Sequence, residues 1–248
     1  MPARAMGIGT DITMRTDALA AREFPDPRAP RRRLWQLISP TLPVGGYSYS
    51  TGLEYAVEVG WIPHLDSARD WVTAQLLHLH ARIDLPALIR LRVAAETGDS
   101  AGLEYWNAWL RASRETADLR AEDLNQGRAL ARLLSDLGLP EAVPWAARED
   151  ACWATLFGLA SVAWRIPLDE VLEGYLWSWC ENQVAAAVKL VPLGQTDGQR
   201  LIWELADRFS EVVELARGLD DEDLGGSLPG VALASMLHET QYSRLFRS

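Results

Sequence analysis

The sequence predicts an all-α fold, a single-domain bundle of about eight to ten helices. Three observations carry that expectation. Apolar residues recur at spacings of three and four from Leu34 onward. No stretch alternates apolar and polar positions with β-branched residues, so no sheet is expected. At 248 residues and 48% hydrophobic content the chain can build one sizeable core. A chain of this length buries roughly 70–75% of its extended surface, and no 20–50-residue repeat divides it.

Residues 1–32 mix Arg, Asp, Pro and Ala without periodicity and read as a disordered extension ahead of a domain spanning 33–237. The arginines that close it, Arg28 and Arg31 to Arg33, read as a solvated run that would also suit an acidic partner. Residues 66–80 open on the candidate caps Asp66 and Ser67 and carry Trp71, Leu76 and Leu79. Residues 84–97 repeat the helical spacing through Leu85, Leu88, Ile89 and Arg92. The segment 115–137 ends on Leu130, Leu133, Leu134 and Leu137, and Gly138 and Pro140 stop it. Segment 149–164 is almost wholly apolar, which predicts a helix buried on all sides. Pro167 suits a first helical turn, with a stripe of Leu168, Val171, Leu172, Tyr175, Leu176 and Trp179 behind it. Residues 197–217 read as one further helix, closed by Gly218 and the acidic run Asp220 to Asp223.

Several functions are disfavoured. A net charge of −10 argues against nucleic acid or an anionic membrane as the main partner. No run approaches 18 apolar residues and no apolar leader opens the chain, so a cytoplasmic protein is expected. Cys152 and Cys180 stand far apart in helical contexts and read as buried structural thiols. Neither VGGYSYS nor PLGQTDGQ has the spacing, or the lysine, of a phosphate loop. Gly46, Tyr47, Ser48, Tyr49 and Ser50 do not make the glycine-flanked serine of a hydrolase elbow. His78 and His80 are two apart and point in different directions on a helix, while His64 and His238 are isolated. No catalytic set, metal site or cofactor is expected.

Three stretches exceed what plain connectors need. SPTLPVGGYSYSTGLE (39–54) reads as a tight turn into a helix, with Thr51 and Glu54 at capping-box spacing and a helix start at a preceding serine as the alternative. That leaves Tyr47 and Tyr49 to pack in the core or against a partner. NQVAAAVKLVPLGQTDGQR (182–200) runs an alanine-rich helix into Lys189, then a corner edged by Gln195, Gln199 and Arg200. The terminal HETQYSRLFRS (238–248) gathers Tyr242, Arg244, Phe246 and Arg247, the side chains most enriched at interface hot spots. Docked on its own core it would be a packing strap; free, a hook for a partner.

With RETADLRAED (114–123) and LWSWC (176–180), these stretches resemble the UreF family of urease accessory proteins, in the family's order, over roughly residues 33–248. The resemblance implies an all-α homodimer that is not an enzyme. It implies partners: a UreD-type protein (UreH in some organisms), the GTPase UreG, and apo-urease, into which nickel is delivered as a urease lysine is carbamylated. In that assembly the UreF protein bridges its partners and regulates GTP hydrolysis. By resemblance, Glu54 and Lys189 face UreG. Tyr242, Arg244, Phe246 and Arg247 belong to a tail ordered against the UreD-type partner, and Tyr47 and Tyr49 lie near dimer and partner surfaces. Gln195, Gln199 and Arg200 join them as partner-binding candidates. The acidic loop 220–226 departs from the pattern and is taken as a solvated linker that leaves the tail mobile in the free protein. Two alternatives stand beside the adaptor. One is a direct nickel metallochaperone using His78, His80, His238 or a cysteine, which the spacing disfavours. The other is a GTPase-activating protein with an arginine finger at Arg200, Arg244 or Arg247.

Overall fold

A computed structural model describes residues 26–248. The greater part of the expected N-terminal extension lies outside the described residues. Its last residues, however, are helical: α1 (Ala29–Leu37) takes in Arg31 to Arg33, because Pro30 occupies the first turn, where a missing N–H costs nothing. Leu34 and Leu37 on this helix are buried, while Arg31 stacks on Trp35 and Arg32 pairs with Asp26.

The remaining helices are α2 (Leu53–Glu58), α3 (Leu65–Gln75), α4 (Leu85–Thr97), α5 (Ser100–Ala112), α6 (Ala117–Asp136), the single turn α7 (Val143–Ala146), α8 (Trp153–Ala163), α9 (Leu168–Leu190), α10 (Gln195–Ala206), α11 (Phe209–Arg217) and α12 (Pro229–His238). Among the described residues there is no strand, and no helix is long and apolar enough to cross a membrane.

Helix α8 is the centre. Its residues from Ala154 to Ser161 are all buried, and α4 and α6 pack on it. Its first amides are capped from other helices. Asn107 Oδ1 accepts from Cys152 N–H at 3.0 Å, and Asp123 Oδ1 from Trp153 N–H at 2.8 Å. Both cysteines are buried, and burial pushes each thiol up, so neither is a ready thiolate. A second, smaller core joins Leu53 and Ala56 of α2, Ala68 of α3, Ala186 and Ala187 of α9, Ala234 of α12 and Phe246.

The segments expected at 66–80 and 84–97 form one continuous rod. The cap is His64 rather than Asp66 or Ser67, with Ser67 at the third helical position bonding back to it. Between α3 and α4 the rod widens into a π-helical segment, Leu76–Asp84. Pro86 explains the widening, since a proline has no N–H to give and crowds the carbonyl four residues earlier. That carbonyl, on Arg82, accepts instead from Gly225 N–H at 3.0 Å. The wide turn carries His80 and Asp84 inward and leaves His78 exposed.

Two expectations change. The helix expected over 197–217 is two, α10 and α11, broken at Asp207 and Arg208 although neither glycine nor proline marks the place. The break lets Phe209, Val212, Val213 and Ala216 turn into the core, where α11 packs on the π-helical segment. The loop 220–226 is not wholly a solvated linker. Its acidic half is exposed, but Gly226 lies so close to the rod that a Cβ there would stand 2.4 Å from the His78 carbonyl oxygen.

Candidate functional site

The C-terminal residues fold back as a strap, and the reason is Glu54. The Thr51–Glu54 capping box does not form. Nor does the helix start at a preceding serine: the cap of α2 is Gly52, and Ser50 Oγ accepts from Glu54 N–H at 3.3 Å. The Glu54 carboxylate is therefore free for long-range work. It is only 6% exposed, and its two oxygens accept main-chain N–H groups from Leu245 at 2.6 Å and Phe246 at 2.9 Å. His238, wholly buried, stands between Glu54 Oε2 and Asp118 Oδ2, 3.1 Å from each. Arg247 N–H donates to the Ser48 carbonyl at 2.8 Å, and Ser50 N–H to the Ser248 main-chain oxygen at 2.8 Å. The Ser50 hydroxyl donates to that same oxygen.

Packing reinforces this main-chain attachment. Phe246 is 6% exposed in the second core, and Lys189 Nζ lies 5.4 Å above its ring. The tail is thus a strap on the chain's own core, and the expected mobile tail is not what the structure shows. Its outward side chains remain available: Tyr242 is fully exposed, and Arg244, Leu245 and Arg247 are exposed beside it. Glu54→Ala is expected to cost the two strap amides their protection by at least tenfold in hydrogen exchange, while α8 amides keep theirs. Loss of protection throughout would make Glu54 a residue of global stability instead.

Beneath the strap lies a buried ionic network. Arg114, just before α6, donates from Nη2 to Asp84 Oδ1 at 2.6 Å and from Nε to Asp123 Oδ2 at 2.9 Å. The Tyr175 hydroxyl donates to Asp84 Oδ1 at 3.3 Å. His80 Nδ1 stands 3.1 Å from Asp84 Oδ2, at ion-pair distance but without hydrogen-bond alignment. Burial alone would raise the Asp84 carboxyl; the charges of Arg114 and His80 reverse that and hold it well below the usual carboxylate range.

This network forms one wall of a partly open cavity of about 110 Å³ lined by α1, the 39–51 turn, the rod, α6 and α9. The amide oxygens of Gln75 and Gln183 line it, buried and without a partner. Glu122 lines it too, and burial pushes this carboxyl up to about 7. An interior with unpaired acceptors and several carboxyls is receptive to water and to donor-bearing or cationic guests. Among the described residues, no group of three or more His, Cys, Asp and Glu is placed to hold a metal ion.

The structure thus divides the residues singled out in the sequence. Tyr47, Tyr49, Glu54, Lys189, Tyr242, Arg244, Phe246 and Arg247 gather at the strap and the turn it touches. Within that group Tyr47 is 63% exposed, whereas Tyr49 is buried and its hydroxyl accepts from Asn125 at 3.1 Å. Glu54, Tyr49 and Phe246 are corrected from surface to interior positions: Glu54 pairs with buried His238, Phe246 packs in the second core, and Tyr49 is itself only 3% exposed. Gln195, Gln199 and Arg200 form a second exposed set on α10, with Arg200 paired to Asp197. Reasoning from sequence missed the set of Asp84, Arg114, Glu122 and Asp123, and read as isolated the His238 that stands between two carboxylates. One signal was present: RETADLRAED supplies Arg114, the α6 cap Thr116, Asp118, Glu122 and Asp123, all now seen in these networks.

Fold and site together define an all-helical protein that fixes a terminal strap beside a polar interior. Comparison with known proteins names the family. The UreF family model matches residues 63–206. The urease accessory protein UreF of Alkalilimnicola ehrlichii is 59% identical over 223 residues, covering 90% of this chain and 98% of that protein. Those of Hahella chejuensis and Alcanivorax borkumensis are 46% and 44% identical, each covering 87% of this chain and 97% of the relative. The chain belongs to the UreF family of urease accessory proteins.

Proposed function

We propose that this chain is a non-catalytic adaptor in urease maturation. It bridges a UreD-type accessory protein and the UreG GTPase on apo-urease in the cytoplasm and regulates GTP-dependent nickel insertion. One observation carries the reading: the strap is held by its main chain while Tyr242, Arg244 and Arg247 point away from the fold. Side chains of the hot-spot types, on a backbone already ordered, bind a partner at a reduced entropic cost. Exposed Lys189, close to the strap through Phe246, extends that surface toward the GTPase. For a homodimer, the exposed Trp35 and Trp177 edge a groove of mixed polarity on another face, with Arg31, Glu170 and Glu173 beside them.

The test is complex formation on a sizing column with light scattering, adding the UreD-type protein, then UreG with GTP. Arg247→Ala and Tyr242→Ala are expected to abolish capture of the UreD-type protein without loss of helicity, since the Arg247 strap contact is made by its main chain. Lys189→Ala is expected to weaken UreG capture. Full assembly by all three variants would move recognition to the α10 set. A variant that assembles normally but hydrolyses GTP slowly would favour the arginine-finger reading.

A further inference from the structure

We propose that the cavity beside the 39–51 turn is a binding site for an alkylguanidinium, a planar organic cation with several N–H donors on a short apolar stem. The inference goes beyond the adaptor reading and needs none of its partners. Two buried amides carry it. Gln75 is 0% exposed and Gln183 is 1% exposed; both line the cavity, and the side-chain oxygen of each has no partner. Their orientation is fixed by what they bond through nitrogen. Gln75 Nε2 donates to the Trp71 carbonyl at 3.4 Å, and a carbonyl can only accept. Gln183 Nε2 donates to the Thr51 hydroxyl at 2.8 Å, and that hydroxyl gives its own proton to Glu122 Oε2 at 3.4 Å. Neither amide can therefore turn over to pair its oxygen. A bare buried acceptor is destabilising, so two on one cavity call for a donor.

Charge selects a cation among donors. The carboxyls of Asp84, Glu115, Glu122, Asp123 and Glu181 line the cavity, against the single guanidinium of Arg114. Arg114 is taken up by Asp84 at 2.6 Å and Asp123 at 2.9 Å. The other three carboxyls have no salt-bridge partner among the described residues, and Glu122 acts as an acceptor toward Ser248, Thr51 and Gln126. A bare metal ion fits less well, since among the described residues no group of three or more His, Cys, Asp and Glu is placed to hold one. Size then selects the head. By the measure that a cavity of about 150 Å³ holds benzene, one of about 110 Å³ holds about four or five heavy atoms, the size of a guanidinium. An ammonium would leave much of that space to water. Because the cavity is partly open, a stem can lead out along Ile38, Leu42 and Leu79 and past the exposed ring of Tyr47.

The experiment is an NMR titration of the full chain with n-propylguanidinium chloride at constant ionic strength. It follows the side-chain amides of Gln75 and Gln183 and the indole N–H of Trp179, which also lines the cavity. Saturable shifts confined to these groups are expected, with a Kd on the order of 1 mM, within reach of so small a ligand. N-propylurea, of the same shape but uncharged, is expected to bind about tenfold more weakly. Gln75→Met deletes a bare acceptor, so the free chain is expected to be at least as stable as the wild type while binding the cation about tenfold more weakly. Glu181→Gln, at a half-buried position where folding is not at stake, is expected to weaken binding by about the same factor. N-acetyl-arginine N-methylamide separates the two sources of this chemistry. Its binding would admit an arginine side chain from another protein; binding of the free alkylguanidinium alone would point to a small molecule. Absence of saturable shifts overturns the proposal and leaves the cavity to water, as do shifts scattered over the surface. Equal affinity for n-propylurea, or wild-type affinity in both Gln75→Met and Glu181→Gln, overturns it too.

Discussion

Replacing Arg114 by methionine is expected to destabilise the fold by about 3–5 kcal/mol, the cost of leaving buried charge without its partner. Asp84 and Asp123 are both buried, and each gives an oxygen to the same guanidinium. Methionine restores much of the volume but leaves two buried carboxylates facing each other without a counter-charge. Urea denaturation followed by circular dichroism measures the loss. Adding Asp84→Asn and Asp123→Asn to Arg114→Met is expected to recover part of it, because no net charge then remains to be compensated. A single variant within about 1 kcal/mol of the wild type would show the network to be solvated and expendable.

The same network sets an acid dependence whose sign is fixed. Asp84 is held well below its usual value of 3.8. Its contribution is therefore present above that value and lost as pH falls through the depressed one. Methionine at position 114 removes the principal charge responsible, so the stability gap between variant and wild type is expected to narrow on acidification.

Much of the helical frame was legible because it is local. The stripes in 84–97 and 168–179 and the stop at Gly138 and Pro140 each need only neighbouring residues to be read. The break between α10 and α11 was not legible, since Phe209 changes direction to reach the core across space. The aromatic and arginine content of the tail marked it as special, but not how it is held. Glu54 satisfies a capping-box spacing with Thr51, yet its actual partner His238 lies 184 positions away. Arg114 offers the same lesson. With 24 basic and 34 acidic side chains, no rule of spacing selects Asp84 and Asp123 from the others. Only the π-helical turn that carries Asp84 inward and the cap that anchors α6 bring them together.

Gly127→Ala tests how closely α6 must approach the entrance of α8. In an exposed helix this change would stabilise by about 1 kcal/mol. Here a Cβ would lie 2.0 Å from the Ala151 carbonyl oxygen and 2.6 Å from the Cys152 carbonyl carbon. Those atoms belong to main chain and have no rotamer to change. Nor can the segment slide away, because Asn107 and Asp123 hold the amides of Cys152 and Trp153, and Asn107 also donates to the Asp150 carbonyl. Relief must come from moving α6 itself. That strains the Arg114 bond to Asp123 at its base and the Asp118 contact with His238 along its length. The expected result is a loss of about 3 kcal/mol, at the upper end for overpacking, with strap protection falling alongside global stability. Gly158→Ala on α8 provides the contrast. Its nearest neighbour is Leu88 Cδ1 at 3.3 Å, the end of a side chain that can turn, so its effect is expected to stay within about 1 kcal/mol. Equal losses in the two variants would mean that α8 tolerates no added volume anywhere. A large loss only at Gly127 would locate the constraint in the main-chain crossing that sets α6, and with it every carboxyl that the strap and cavity use.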